Sequence, residues 1–379
     1  MSEEPYLGLD VIADSKSLAL KLKSIVLLPA ALQENIRGDS WIVSSYISSG
    51  SFGDVWKVTN QGNGRAYACK IISTDQNTPQ EQCATKQAQQ EIDFSTSPRI
   101  CDLGQNDNIV RMIAHGVLNY QHPDRIIGRI LIYEYLYCSD LDYCIKNCEK
   151  QRFYLPEPFI WGIALQVATA MHRLGGKFRT PMGMVAPIVH KDLKPDNVAL
   201  TFRSDDPHGE ISYPIAKLID FGLAQPILPE DGGCVDDYAC GRAPYCAPEW
   251  PQNTTSSDMW SAMHTVYMLT QGGWAPARPR DLKRQNPRND PFHRECEYSP
   301  ESRNRRSAPI IVHPLRPGLS LDLYNFFRWS LEPNIKFRPS PEEVVAKLRF
   351  HYMAEHRARL LRPIPSSIFQ GAPNRSKSN

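Results

Sequence analysis

The stretch VHKDLKPDNVAL, residues 189–200, places an aspartate, a lysine, a second acid and an asparagine between Asp192 and Asn197, directly after Lys191. A segment that only had to pack would not need such a density of polar groups between Val189 and Val198. Asp192 is a carboxylate that can orient a hydroxyl nucleophile and accept its proton. Lys194 stands two residues on, where its charge can neutralise a moving phosphoryl group. Asn197 offers an amide oxygen, a hard ligand of the kind Mg2+ takes. Downstream, LIDFGLA (218–224) follows an apolar run. It sets Asp220 at a strand end before a glycine-permitted turn, as a second candidate Mg2+ ligand. Each acid taken singly serves as well as a helix cap or turn residue; order and spacing make the constellation.

Upstream, SSGSFGDVWKV (48–58) sets Gly50 and Gly53 around an aromatic between two strand-like runs. Glycine lets backbone N–H groups approach a phosphate closely, although a plain hairpin turn would read the same way. Lys70 lies on the apolar run AYACKII (66–72). There its ammonium either reaches solvent or meets an anion, because an unpaired buried charge is costly. Glu91, in QQEIDF on a helical pattern, is the candidate partner; Glu81 competes with it.

A chain of 379 residues exceeds what one hydrophobic core usually serves, which predicts two units. With 41% hydrophobic and 22% charged residues it reads as a soluble globular protein. A net charge of +2 gives no global electrostatic attraction to nucleic acid or membrane. The acidic start MSEEPYLGLD lacks the basic-then-apolar order of a signal peptide, so cytoplasm is the expected location, with the nucleus open through an arginine-rich segment. SLALKLKSIVLLPAAL (17–32) is too short and too broken by lysine to span a bilayer, and reads as an amphipathic helix. Ten cysteines occur without a C-x-x-C pair. Cys144 and Cys148, four apart on one helical face, make a poor zinc site and read as buried free thiols.

Residues 1–40 read as a helical extension. From Trp41 to Ile72, short alternating runs separated by glycine and asparagine turns predict an antiparallel meander. A Gln/Ala/Glu-rich helix follows over 79–95, then two more strands, NIVRMIAHGVL and RIIGRILIYEYL. After Asp140 the pattern turns helical in five successive segments. The fold class expected is therefore α+β, with a strand-rich unit over 41–136 and a helix-rich unit over 137–352. The proline- and arginine-rich stretch 275–307 reads as a surface insertion and a candidate docking site, and 353–379 as a basic, disordered tail.

Taken together, these motifs resemble a eukaryotic protein kinase over about Trp41 to Tyr352. Glycine loop, strand lysine, catalytic loop, DFG and APE occur in the family's order. The resemblance implies a bilobal fold with a small antiparallel N-lobe and a helical C-lobe, ATP and Mg2+ as cofactors, and a protein substrate. It implies that Lys70 holds the α- and β-phosphates and pairs with Glu91. Asp192 would be the catalytic base with Lys194 near the γ-phosphate, and Asn197 and Asp220 the Mg2+ ligands. Ser48, Gly50 and Gly53 would form the phosphate loop. Val55, Ala68 and Ala199 would enclose adenine, with Tyr133 as gatekeeper, the backbone of Glu134 and Leu136 facing the base, and Asp140 reaching the ribose. Glu249 of Ala247-Pro248-Glu249 would pair with Arg338, and Asp258 would anchor the catalytic loop. The LKPDN form resembles serine/threonine kinases.

The chain departs from that family's pattern in four places. Ser48 replaces the first glycine, and the segment after Glu91 is longer than usual. Arg242 occupies the position of a threonine that bonds the catalytic aspartate and lysine. Lys191 replaces the arginine that gathers an activation-loop phosphate, and residues 223–246 contain no serine or threonine. Receiver and donor of that switch are absent together; the segment carries Glu230, Asp231, Asp236 and Asp237 instead, with Tyr238 as its one early modifiable hydroxyl. Either Asp236 or Asp237 meets Lys191, or these acids are simply solvated. Three readings remain: a serine/threonine protein kinase that does not require serine or threonine phosphorylation of its activation loop, a nucleotide-binding scaffold without turnover, and a small-molecule kinase. The last usually lacks APE and its arginine.

Overall fold

The structure is a computed structural model that describes residues 41–50, 53–73, 79–96, 108–119, 126–176, 178–179, 185–202, 213–228, 231–236, 245–271, 318–358 and 364–369. The expected helix over 1–40, the insertion at 275–307, Arg242, and the side chains of Glu81, Asp236 and Asp237 lie outside the described residues. The chain divides into two compact units. Described residues up to Ala88 join Met112–Tyr135 in the first; Gln89–Arg111 and those from Leu136 onward form the second.

The first unit is a five-stranded antiparallel sheet built from β1 (Trp41–Gly50), β2 (Gly53–Asn60), β3 (Ala66–Ser73), β4 (Met112–Asn119) and β5 (Ile126–Glu134), in the order β1-β2-β3-β5-β4. Side chains alternate across a strand, so each strand serves two faces. Trp56 and Val58 of β2 and Cys69 and Ile71 of β3 join Trp41, Ile130 and Ile132 in one buried cluster. The register places Val55 opposite Lys70, and Ala68 opposite Tyr133. Val55, Ala68, Lys70 and Tyr133 therefore share the other face. Gly53 has a packing reason to be glycine: a Cβ there would lie 2.3 Å from the Ile71 carbonyl oxygen.

Helix α1 (Pro79–Ser95) runs from the first unit into the second. The second unit contains helices α2 (Leu141–Gln151), α3 (Glu157–Leu174), α4 (Thr255–Gln271), α5 (Leu321–Ser330) and α6 (Pro341–Ala358). Short antiparallel pairs lie among them: β6 (Phe178–Arg179) with β7 (Val185–Ala186), β8 (Ile188–Val189) with β11 (Gln225–Pro226), β9 (Val198–Thr201) with β10 (Ile215–Leu218), and β12 (Val235–Asp236) with β13 (Gln252–Asn253). Helix α3 buries residues on all sides, from Phe159 to Leu174, as expected of a helix packed by neighbours all round. Trp161, Trp260, Phe326 and Phe327 are among the largest side chains wholly removed from water. Cys144 and Cys148 are both buried on α2, and the Cys144 thiol is held well above its ordinary pKa by its hydrogen bond with Cys148 and by burial. No helix among the described residues is long and apolar enough to cross a membrane.

Order extends into the segment expected to be coil. Helix α6 continues to Ala358, and residues 364–369 contain a 3-10 turn at Ser366–Ile368 whose Ile368 and Phe369 are buried. Composition underestimated this segment because two apolar side chains among polar neighbours say nothing of a groove that awaits them.

One buried carboxylate joins two helices. Glu157 accepts from the Trp161 indole N–H at 3.0 Å, from the Ser320 N–H at 2.7 Å and from the Ser320 hydroxyl at 2.5 Å. The same Ser320 oxygen accepts from the Leu323 N–H and caps α5. Glu157→Ala orphans these donors and is expected to lower stability by about 2–4 kcal/mol in urea unfolding. Unchanged unfolding would show that the carboxylate is dispensable.

Candidate active site

The loop between β8 and β9 carries the polar cluster, and a carboxylate from α4 fixes its backbone. Asp258, 3% exposed, accepts from the His190 N–H at 2.5 Å and from the Lys191 N–H at 3.1 Å. Burial pushes its carboxyl above the usual range, while His190, the two N–H donors and Lys191 work against that shift. Lys191 takes the left-handed backbone conformation, φ 66°, which turns the chain toward Asp192. The Asp192 N–H lies 3.3 Å from His190 Nδ1, and His190 Nε2 lies 3.1 Å from the Ile219 carbonyl oxygen. With Nδ1 accepting, Nε2 carries the proton and donates. The imidazole thus ties the loop to the DFG segment. Its ring also rests on Phe221 at 4.9 Å, and Phe221 stacks on Phe94 at 4.2 Å.

Three of the predicted side chains meet directly. Lys194 Nζ stands 2.5 Å from Asp192 Oδ2. Asn197 Nδ2 donates to the same oxygen at 3.0 Å and to the Asp192 carbonyl at 2.8 Å. Both donors converge on Oδ2, so Oδ1 carries no hydrogen bond among the described residues. Asn197 closes a 3-10 turn opened by Pro195, whose ring suits the first helical position. Its carbonyl accepts from the Ile219 N–H at 3.1 Å, which brings Asp220 beside it. Asp220 itself sits at φ 64°, ψ 70°, an unusual conformation for a non-glycine residue.

Asn197 and Asp220 fit a hard cation. The amide nitrogen is committed to Asp192, which leaves the amide oxygen, and Asp220 adds a carboxylate. Two protein donors leave coordination to be completed by phosphate oxygens or water, as Mg2+ prefers.

Asp140 and Ala199 are bridged across neighbouring backbones. The Asp140 side chain caps α2, accepting from the Tyr143 N–H at 2.8 Å. Burial pushes its carboxyl up to about 6; the Tyr143 N–H opposes the shift, Asp142 and Asp196 add to it, and Lys146 opposes it. Leu136 opens the second unit and is half-buried. In the first unit Ser48 pairs with Val55, and Gly50 with Gly53, across the β1–β2 turn. Lys70 is half-buried on β3 and Glu134 ends β5. Glu91, 2% exposed, belongs to the second unit.

Two contacts bear on the activation segment. The Lys191 ammonium donates to Gln225 Oε1 at 3.0 Å. Gln225 carries no sequence signal for this contact, since a neutral amide does not stand out beside the acids of the segment. Val189, Ile227 and Val235 form a small buried cluster that fastens the segment to β8. Further along, Arg338 makes a two-pronged pair with Glu249, at 2.6 and 2.8 Å, and its Nε donates to the Glu332 carbonyl at 2.9 Å. A cavity of about 20 Å³ beside Asp192, lined in part by Lys191, Tyr245, Cys246 and Asp258, has room for a water.

The model of the protein kinase domain matches residues 41–350. The chain belongs to that family. Its relatives include the G2-specific protein kinase nimA of Emericella nidulans, 28% identical over 258 residues, which cover 62% of this chain and 32% of that protein. The probable serine/threonine-protein kinase nek2 of Dictyostelium discoideum is 27% identical over 240 residues, 61% of this chain and 48% of the relative. Serine/threonine-protein kinase Nek1 of Toxoplasma gondii is 25% identical over 328 residues, 83% and 17% respectively. The kinase domain thus spans from about a sixth to a half of these relatives.

The raised Asp140 carboxyl makes stability depend on pH. Its folded value of about 6 exceeds the ordinary 3.8, so the fold favours the protonated form. Stability is lost as pH rises from about 4 to about 6 and does not return above that. Asp140→Asn keeps a capping oxygen and removes the titration. The difference in Tm between variant and wild type should widen across that window and then stay level. A pH-independent difference would place the titration elsewhere.

Proposed function

We propose that this chain is an ATP-dependent serine/threonine protein kinase that works without serine or threonine phosphorylation of its activation segment. The observation that carries this reading is the convergence of Lys194 and Asn197 on one oxygen of Asp192, in a loop pinned by Asp258. Asp192 Oδ1 orients a substrate hydroxyl and takes its proton as the oxygen bonds to the γ-phosphorus. The bond from phosphorus to the β,γ-bridging oxygen breaks, and ADP leaves. Lys194 neutralises charge on the transferring group. Lys70 holds the α- and β-phosphates, Val55, Ala68 and Ala199 enclose the adenine, and Asp140 receives the ribose. Asn197 and Asp220 hold Mg2+, which when bound offsets phosphate charge. Positioning and fixed charge supply most of the rate, as phosphoryl transfer demands.

The preference for serine and threonine rests on the LKPDN loop and on the names of the relatives. Independence from serine or threonine phosphorylation rests on Lys191 being bonded to Gln225, together with a segment that has no serine or threonine between 223 and 246. Lysine is a point charge and lacks the planar fork that grips a phosphate.

Phosphatase-treated wild type and Asp192→Asn, incubated with labelled ATP, Mg2+ and serine, threonine and tyrosine peptides, provide the test. Wild type should label serine and threonine, and the variant should fall at least about 100-fold. Equal labelling by both would remove Asp192 from the mechanism. Stabilisation by ATP without transfer from either would identify a nucleotide-binding scaffold.

A further inference from the structure

The C-terminal segment Ile364–Phe369 is held from three sides. Ile368 and Phe369 are 0% and 2% exposed. The Phe369 ring lies 5.7 Å from Phe159 of α3 and 6.2 Å from Phe202 at the end of β9. From α2, Asn147 Nδ2 donates to the carbonyls of Ser367 and Ile368 at 3.1 and 3.4 Å. Gln151, one turn on, donates to the Ser367 carbonyl and accepts from the Ser367 hydroxyl at 3.0 Å. An exposed strand of coil would not acquire side-chain hydrogen bonds to consecutive carbonyls together with two buried apolar anchors.

The decisive contact is to the backbone. The Ser139 N–H donates to the Phe369 carbonyl at 2.8 Å. The Ser139 carbonyl accepts from the Leu200 N–H at 3.0 Å, and the Cys138 N–H donates to the Leu200 carbonyl at 3.2 Å. Residues 138–140 are therefore clamped between β9 on one edge and the C-terminal segment on the other. The next residue is Asp140, bridged to Ala199. Without the tail, Ser139 loses its N–H partner, and the backbone that aims Asp140 is held from one edge only.

We infer that Ile368 and Phe369, gripped by Asn147 and Gln151, are positioning residues for nucleotide binding: the tail fixes Ser139 and, through it, Asp140. This rests on the reading of Asp140 as a nucleotide contact. Every contact it rests on lies within the second unit. Because preorganised backbone lowers the ordering cost of binding, the effect falls on nucleotide affinity and leaves turnover at saturation nearly untouched.

The test uses the full chain and a fluorescent ATP analogue, whose binding does not depend on turnover. Asn147→Ala/Gln151→Ala and Phe369→Ala should each weaken the analogue's Kd and raise KM for ATP by about three- to tenfold. The kcat at saturating ATP should stay within about twofold, and Phe369→Leu should restore the Kd. Should Phe369→Ala fail to fold, the paired α2 variant at the protein surface still decides. An unchanged Kd in that variant, with Asp140→Ala weakening the analogue, overturns the positioning role alone. An unchanged Kd in Asp140→Ala overturns the nucleotide contact on which it rests.

Discussion

A carboxylate removed from water holds the chemistry of this chain in place. Asp258 is costly to bury, and its cost is offset only while it accepts from His190 and Lys191. Those two N–H groups belong to the residues immediately before Asp192, so the acid sets the loop's backbone. The constraint propagates through His190, whose two ring nitrogens face Asp192 and Ile219. One buried acid thereby ties the loop to the segment that carries Asp220.

The helical unit repeats this device. Glu249 and Arg338 satisfy one another with paired hydrogen bonds, and the guanidinium's remaining donors reach backbone carbonyls. Glu157 gathers an indole and a helix-capping serine. In each case a charge from one element meets donors from a distant one, so the joint is specific to one arrangement of the chain. The sheet unit works differently. Its cohesion comes from strand alternation, which puts tryptophans and aliphatics on one face and leaves Val55, Ala68 and Lys70 together on the other.

Several elements were legible because their physical signal is local. Strand alternation from Trp41, the apolar run of α3 and the proline-opened turn at Pro195 each depend on neighbours within a few residues. The density of polar groups at 192–197 stood out because packing alone does not call for it. The Gln225 contact of Lys191 had no such signal, since an amide is unremarkable until its partner is known. The tail was misjudged for the same reason: PSSIF is polar and short, and only the groove formed by α2, α3 and Phe202 gives Ile368 and Phe369 somewhere to go.

By itself the sequence determined the α+β order of elements and the membership of the chain in the protein kinase family, because periodicity and motif spacing are properties of the linear chain. It also determined which acids and amides stand together in the loop. Tertiary structure alone decided which oxygen of Asp192 receives Lys194 and Asn197, which neutral group meets Lys191, and where the C-terminal segment lies. Those outcomes depend on contacts between residues far apart in sequence, formed only when burial makes an unsatisfied donor or carboxylate too costly to leave alone.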